Sequence, residues 1–199
     1  MAHKFLDLSF TPQVLHAQQH YYGRAQMLPP AEHDDPLGPE ETAFIEARDS
    51  FYMSSVSEAG WPYVQHRGGP AGFCKVTGPN ELVFADYKGN RQMLSTGNVA
   101  SNNRVCLFMM DYPNRERLKL LGHAEVLDAR EHPELVRQVT TADLAPITER
   151  LVRIRVVGFD WNCPKYITPR YTAAEVQTAI APLKARIAEL ESQLKIQTP

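Results

Sequence analysis

Residues 82–94 read Leu-Val-Phe-Ala-Asp-Tyr-Lys-Gly-Asn-Arg-Gln-Met-Leu and pass from an apolar strand through a polar turn into a predicted helix. Lys88, Gly89 and Asn90 have the composition of a turn, and Asn90 is a good N-cap for a helix that begins at Arg91. Free backbone N–H groups at that helix start, with the charges of Arg91 and Lys88, predict an anion site. An ordinary solvent-exposed turn is the competing interpretation.

Strand patterns dominate the sequence on both sides of this stretch. The predicted strands cover residues 51–56, 63–67, 73–77, 81–87, 104–111, 117–127 and 149–159. Two predicted helices, 90–98 and 132–141, interrupt them. Many short strands with few helices predict a mainly β fold, an antiparallel barrel or sandwich with flanking helices.

The two ends of the chain differ from this central region of residues 39–160. Residues 1–38 predict an irregular arm with one helix at 11–22, and a second helix at 39–48 opens the central region. In the C-terminal segment 161–199, a capping box at Thr172 and Glu175 predicts a helix start. Six apolar residues then follow at heptad spacing: Val176, Ile180, Leu183, Ile187, Leu190 and Leu194.

This heptad pattern favours a dimerising helix, and a helix packed on its own barrel is the alternative. Pro182 is expected to kink or divide the helix.

Composition restricts the class of function. The chain is 43% hydrophobic and 22% charged, with a net charge of −2, which is ordinary for a globular protein. A charge so close to neutral gives no general attraction to nucleic acid or to anionic membranes, so any bound anion needs a local basic cluster. No apolar run reaches the roughly 18 residues of a membrane helix, and no signal peptide is recognised.

The three cysteines, Cys74, Cys106 and Cys163, are scattered and odd in number. This favours free thiols in a reducing compartment, so we expect a cytoplasmic protein. Cys163 is expected to be a buried structural thiol rather than a reactive one. No metal site is predicted.

Two further segments carry basic groups. Residues 65–73 follow a strand and combine His66 and Arg67 with small residues that allow a ligand to approach the backbone. Arg115, Arg117 and Lys119 alternate with other residues, which predicts that all three lie on one face of a strand. A wide hairpin loop and a solvated strand face are the respective alternatives.

In this order, the segments resemble the pyridoxamine-5'-phosphate-oxidase-like FMN-binding split-barrel superfamily over about residues 40–160. Residues 84–86 followed by 90–92 are similar to the family's strand and Ser-Arg-Lys turn. Arg67 resembles the basic residue of its preceding strand pair, and residues 117–125 resemble a strand that ends in Gly-x-Ala-Glu.

The resemblance implies a homodimer with FMN at the subunit interface. The phosphate would lie on Arg67, Lys88, Asn90 and Arg91, and the isoalloxazine ring would lie near residues 84–86. Arg117 or residues 161–163 of the second subunit would close the pocket. The full set of implied cofactor-binding residues is His66, Arg67, Phe84, Ala85, Asp86, Lys88, Asn90, Arg91, Gln92, Arg117 and Trp161.

The sequence departs from the family's vitamin B6 oxidases in two places. Gln92 stands where those oxidases have a second cation. Those oxidases end in a Trp and an Arg that hold pyridoxal phosphate, whereas residues 159–170 of this chain lead into the heptad helix and resemble a branch that carries a Trp-Asn-Cys-Pro segment. Oxidation of vitamin B6 is therefore not expected.

Four functions remain open from the sequence. The first is an FMN-dependent oxidoreductase that acts on a small-molecule substrate or electron donor, although no catalytic residue can be named. The second is a flavin carrier or redox sensor without enzymatic activity. The third is a haem-handling split barrel that uses His66 or His123, and the fourth is an interaction module built on the C-terminal helix. Trp161 fits a flavin-stacking residue and an ordinary core aromatic equally well.

Overall fold

The computed structural model describes residues 3–161 and 163–197, with side chains through Leu194. The described helices are α1 (Lys4–Ser9), α2 (Pro12–Tyr22), α3 (Pro39–Glu46), α4 (Leu94–Ser101), α5 (Pro133–Val139) and α6 (Ala173–Gln197). The described strands are β1 (Ser50–Val56), β2 (Pro62–Gly68), β3 (Cys74–Gly78), β4 (Glu81–Tyr87), β5 (Arg104–Asp111), β6 (Glu116–Asp128) and β7 (Thr148–Trp161).

The chain forms two compact units. One comprises the residues up to Met110 together with Arg117–Cys163, and the other comprises Asp111–Glu116 together with the residues from Pro164 onward. The first unit contains nearly all of the strand residues, and the second contains α6. None of the helices described is long and apolar enough to cross a membrane.

The described strands form one seven-stranded sheet in the order β2-β1-β5-β6-β7-β4-β3. The pairs β1–β2, β1–β5, β3–β4, β4–β7 and β6–β7 are all antiparallel. The predicted antiparallel β architecture with flanking helices is therefore confirmed. The long strand β7 is central to it, because it pairs with β6 on one side and with β4 on the other.

The sheet curls so that its two ends meet. Strand β2 lies at one end of the strand order and β4 lies next to the other end, yet Arg67 of β2 reaches Asp86 of β4 at 2.7 Å. Inside the curl, the Phe51 ring stacks on Phe73 and meets Phe84 edge-on. These three rings are at most 2% exposed. Buried aromatic packing and an ion pair thus close a barrel around the core.

The predicted helix at residues 90–98 is displaced. The backbone at Arg91 (φ 59°) and Met93 (φ 58°) is left-handed, which a right-handed α-helix does not allow. Helix α4 accordingly begins at Leu94, with Met93 as its N-cap. The prediction that Asn90 caps a helix starting at Arg91 is therefore wrong.

The C-terminal helix is longer and less interrupted than expected. The capping box is present, because Glu175 N–H donates to Thr172 Oγ1 at 3.2 Å and Thr172 N–H donates to Glu175 Oε2 at 2.7 Å. Helix α6 then continues through Pro182 to Gln197 without dividing. One proline removes only one backbone donor, and the turns on both sides keep theirs.

Asp35 ties the N-terminal segment to the barrel. Its carboxylate is 8% exposed and accepts the backbone N–H groups of His3, Lys4 and Phe5 at 2.9–3.1 Å, and that of Phe159 in β7 at 3.4 Å. It therefore satisfies the free donors at the start of α1. Gly158 makes this approach possible, since a Cβ there would lie 2.6 Å from Phe5 N.

We expect Asp35→Ala to lower the free energy of unfolding by about 2–4 kcal/mol, because it leaves several buried N–H groups without an acceptor. The matched control is Asp34→Ala, which removes only an exposed pair with Arg155 and should cost less than about 1 kcal/mol. Urea unfolding followed by fluorescence measures both. Equal losses in the two variants would contradict the role of Asp35.

The three cysteines differ in accessibility. Burial raises the pKa of the Cys74 thiol far above its ordinary value, and burial also raises the pKa of the Cys106 thiol. Cys163 is exposed, so the expectation of a buried structural thiol at this position is wrong. It lies beyond the end of β7, where the chain has left the core.

We therefore expect the folded protein to react rapidly with Ellman's reagent at one thiol only, at neutral pH. Cys163→Ser should abolish that fast reaction, and Cys74→Ser should leave it unchanged. Fast labelling that survives Cys163→Ser would show that another thiol opens to solvent.

Candidate functional site

A cavity of about 270 Å³ opens in the barrel wall. Strands β2 and β4, the segment 89–93, the first turn of α4, Phe73 and Arg150 of β7 line it. Of the residues predicted from the sequence, it brings together His66, Arg67, Ala85, Asp86, Asn90, Arg91 and Gln92. Two segments that are distant in sequence thus meet in one site.

A chain of ion pairs runs along the cavity. Arg67 Nη1 donates to Asp86 Oδ1 at 2.7 Å, and Arg150 Nε donates to Asp86 Oδ2 at 2.9 Å. Arg150 also bonds Glu149 at 3.2 Å, and Arg91 bonds the other oxygen of Glu149 at 2.9 Å. Five charged residues from β2, β4, β7 and the turn after β4 therefore hold one another in position.

A β-bulge creates the last part of this chain. Asp86 pairs with Arg150, but the next pair joins Tyr87 to Thr148, so Glu149 is an extra residue in β7. A bulge turns side chains out of strict alternation and often lies beside a functional site. Here Glu149 and its neighbour Arg150 bond each other and both belong to the same network.

The cavity is electropositive. The guanidinium groups of Arg67, Arg91 and Arg150 are paired with two carboxylates, those of Asp86 and Glu149, so this described network keeps a net charge of +1. Arg67 Nε is buried and has no hydrogen-bond partner among the described residues. Burial lowers the pKa of the Arg67 guanidinium, against the opposing effect of Asp86. A bound dianion would neutralise the excess charge and accept hydrogen bonds from the guanidinium groups that line the cavity.

Strand alternation separates His66 from Arg67. Arg67 is the register partner of Phe51 and therefore shares the inner face, whereas His66 is the partner of Tyr52 on the opposite face. The exposed His66 ring meets Tyr52 edge-on at 5.7 Å. His66 borders the cavity, but its imidazole belongs to the outer face of the hairpin.

The far wall of the cavity is fixed by α4. Ser95 in its first turn is buried and donates to Gln65 Oε1 of β2 at 2.6 Å. Asn98 Nδ2 donates to Ser55 Oγ of β1 at 2.9 Å. The exposed segment before α4 has less support: Asn90 Oδ1 accepts the Gln92 N–H at 3.2 Å. The cavity is therefore bounded by paired strands and by an exposed loop, which the ion pair of Arg91 with Glu149 ties to β7.

Phe84 and Lys88 do not line the cavity. Phe84 is fully buried in the barrel core, so β4 offers a ligand its Ala85 and Asp86 rather than the Phe84 ring. Lys88 is exposed, and its backbone N–H donates to Ile147 at 2.8 Å.

Arg117 and Trp161 also lie outside it. The Arg117 guanidinium lies over the Phe108 ring at 5.3 Å, and its buried Nε has no hydrogen-bond partner among the described residues. Trp161 Nε1 donates to Glu41 at 2.8 Å, and its ring packs edge-on against Phe44. Within this chain, Trp161 therefore packs as a core aromatic.

The predicted face of three basic residues is only partly formed. Arg115 lies in the turn before β6 with a left-handed backbone (φ 57°), so it does not share the strand alternation of Arg117 and Lys119. Lys119 pairs with Asp160 at 2.8 Å and lies over the Phe5 ring. The prediction of three aligned cations is wrong because the strand starts one residue after Arg115.

Sequence reasoning missed Arg150, Gln65 and Ser95 as site residues. Arg150 lies in a strand that contains two more arginines, Arg153 and Arg155, so nothing in the sequence distinguishes it. Its register opposite Asp86 is what brings it into the cavity. Gln65 could have been found from strand alternation, since it lies two residues from Arg67 and therefore on the same face.

We expect Asp86→Ala to lower the free energy of unfolding by about 3 kcal/mol, because it leaves two largely buried guanidinium groups facing each other. The matched control is Asp128→Ala, which removes a carboxylate paired with the exposed Arg130 and should change stability little. Chemical denaturation measures both. A loss in Asp86→Ala no larger than in the control would contradict this structural role.

Comparisons with known proteins give the family. Solved structures similar to the chain include HupZ of Group A Streptococcus (9% identity, 68% of this chain and 99% of that one, TM-score 0.48). General stress protein 26 of Bacillus anthracis is similar at 13% identity, over 60% of this chain and 88% of that one, with a TM-score of 0.47. An FMN-binding protein of Syntrophomonas wolfei is similar at 8% identity, over 61% of this chain and 83% of that one, with a TM-score of 0.47. No curated protein matches the chain.

The family model described as pyridoxamine 5'-phosphate oxidase matches residues 37–156, which is more than half of the chain and includes every strand of the sheet except the last residues of β7. The split-barrel fold expected from the sequence agrees with this match. The chain belongs to the pyridoxamine 5'-phosphate oxidase family.

Proposed function

We propose that this protein binds FMN in the electropositive cavity and acts as a flavin-dependent oxidoreductase on a small molecule. The observation that carries the proposal is the network of three arginines and two carboxylates beside the cavity, which holds one positive charge in excess, in a chain of this family. A phosphate monoester is a dianion near neutral pH and matches both the charge and the donors.

Arg67, Arg91 and Arg150 would hold the phosphate. Each guanidinium has five N–H donors, and the ion pairs with Asp86 and Glu149 use only some of them. Because Arg67 and Arg150 are held by Asp86, they would meet the ligand already oriented. Arg91 lies on the exposed loop, so it would adjust as the ligand binds.

The remainder of the cofactor would lie along β4, where Ala85 offers a small side chain and backbone. Bound FMN would supply the redox chemistry, and the chain would supply orientation and electrostatics. At about 270 Å³, the cavity is slightly smaller than a site that encloses a whole ligand.

A second subunit would therefore complete the site. We propose a homodimer with FMN at the interface, in which Arg117 of the partner subunit would help to close the pocket. The free cysteines agree with a cytoplasmic location.

The decisive measurement is flavin binding by the full-length protein after reconstitution with FMN and removal of the excess. We expect retained flavin absorbance, with weaker binding by roughly ten- to hundredfold in Arg67→Ala and Arg150→Ala, because each loses a charge-assisted hydrogen bond worth about 1.5–3 kcal/mol. Arg130→Ala, an exposed arginine outside the cavity, is the matched control.

Riboflavin separates phosphate recognition from ring recognition. The wild type should prefer FMN to riboflavin, and Arg67→Ala should lose most of that preference while its riboflavin affinity stays nearly unchanged. Protein that retains no flavin, or a preference that survives Arg67→Ala, would overturn the assignment of the cavity. Reduction of bound FMN by a pyridine nucleotide or a candidate substrate separates an oxidoreductase from a carrier or sensor.

Haem binding is the competing function, and His123 is the better placed of its two candidate ligands. His123 is half-buried and its Nδ1 lies 2.9 Å from Asn103 Oδ1, which fixes the ring and leaves Nε2 available. A Soret band on haem titration that disappears in His123→Ala would favour this function over FMN binding.

A further inference from the structure

Helix α6 carries a continuous apolar stripe. It is 25 residues long, or about 38 Å at 1.5 Å per residue. Val176, Leu183, Ile187, Leu190 and Leu194 are between 42% and 64% exposed. Scattered apolar residues on a surface are common, but a stripe of five along one helix face marks an interaction surface.

The identity of the residues along the stripe indicates the kind of partner. With the spacing of four and three, Ile180, Ile187 and Leu194 occupy the a positions of a heptad, and Val176, Leu183 and Leu190 occupy the d positions. Two of the three a positions are isoleucine and two of the three d positions are leucine, and β-branched residues at a with leucine at d favour a parallel two-stranded coiled coil. Pro182 falls at position c, outside the seam.

The charges beside the seam fit a second copy of the same helix. In a parallel in-register pair, each g residue faces the e residue of the next heptad on the other helix. Arg186 lies at g and Glu191 lies at e, so Arg186 would face Glu191 of the partner subunit with opposite charge. Within its own helix, Arg186 bonds Glu189 at 2.6 Å. Arg186 and Glu189 are both more than half exposed, so this ion pair is weak. Arg186 can therefore exchange Glu189 for Glu191 of the partner subunit at little cost in free energy.

We propose that α6 pairs with the α6 of a second copy of this chain as a parallel, in-register two-stranded coiled coil. The two-fold axis of such a coil runs along the helices, which gives a closed and symmetric dimer rather than an open chain of subunits. The proposal rests on α6 alone and is independent of FMN binding.

A disulfide introduced into the seam tests both the pairing and its direction. In a Cys163→Ser background, Leu190→Cys at position d brings two copies of residue 190 together, while Ser192→Cys at position f points away from the partner. Disulfides need Cα atoms within about 7 Å. After oxidation, we expect most of the full-length Leu190→Cys protein, and little of the Ser192→Cys protein, to run on a non-reducing gel with the mass of two chains.

Charge reversal tests the recognition between the helices. Arg186→Glu in the Leu190→Cys protein should slow disulfide formation, because like charges then face each other, and adding Glu191→Arg should restore the rate. Circular dichroism on each variant verifies that α6 remains helical. Equal disulfide formation at residues 190 and 192, or no disulfide at residue 190, would overturn the parallel coiled coil. The second result is expected if the subunits pair only through their barrels.

Discussion

The double ion pair at Asp86 is the interaction on which the site and the barrel both depend. One carboxylate of β4 holds Arg67 from the opposite end of the strand order and Arg150 from the neighbouring strand β7. All three side chains are less than 18% exposed, so water cannot replace the missing partner of any of them. The same carboxylate therefore closes the barrel and fixes two of the cations that line its cavity.

The ion-pair network beside the cavity contains more positive than negative charges. Three guanidinium groups are paired with two carboxylates, Asp86 and Glu149, so the described network keeps one positive charge that it does not neutralise. Burial of Arg67 makes that excess charge costly. A protein that only needed to close its barrel could do so with one arginine or with apolar residues, which commonly give equal or greater stability. The third arginine and the bulge at Glu149 are explained better by ligand binding than by folding.

The sequence predicted the strands well because each is a short apolar run bounded by turn residues, and β4 and β5 match the predicted ranges at both ends. Local patterns also determine the faces of β2. Contacts that depend on register could not be predicted in the same way: Arg150 enters the cavity only through its pairing with Asp86 and the adjacent bulge. The start of α4 was misplaced because Asn90 is a good cap by composition, and the sequence does not reveal the left-handed backbone at Arg91 and Met93.

The barrel and helix α6 each contain groups whose surroundings are energetically unfavourable. The described ion-pair network beside the barrel cavity keeps an excess positive charge, and α6 leaves apolar groups exposed along its length. An unneutralised charge and an exposed apolar stripe both cost free energy in an isolated chain. An anionic ligand would relieve the first cost, and a second apolar surface would relieve the second. Because a parallel coil of identical helices has two-fold symmetry, it would hold two barrels in the equivalent relation that a cofactor site shared between identical subunits requires.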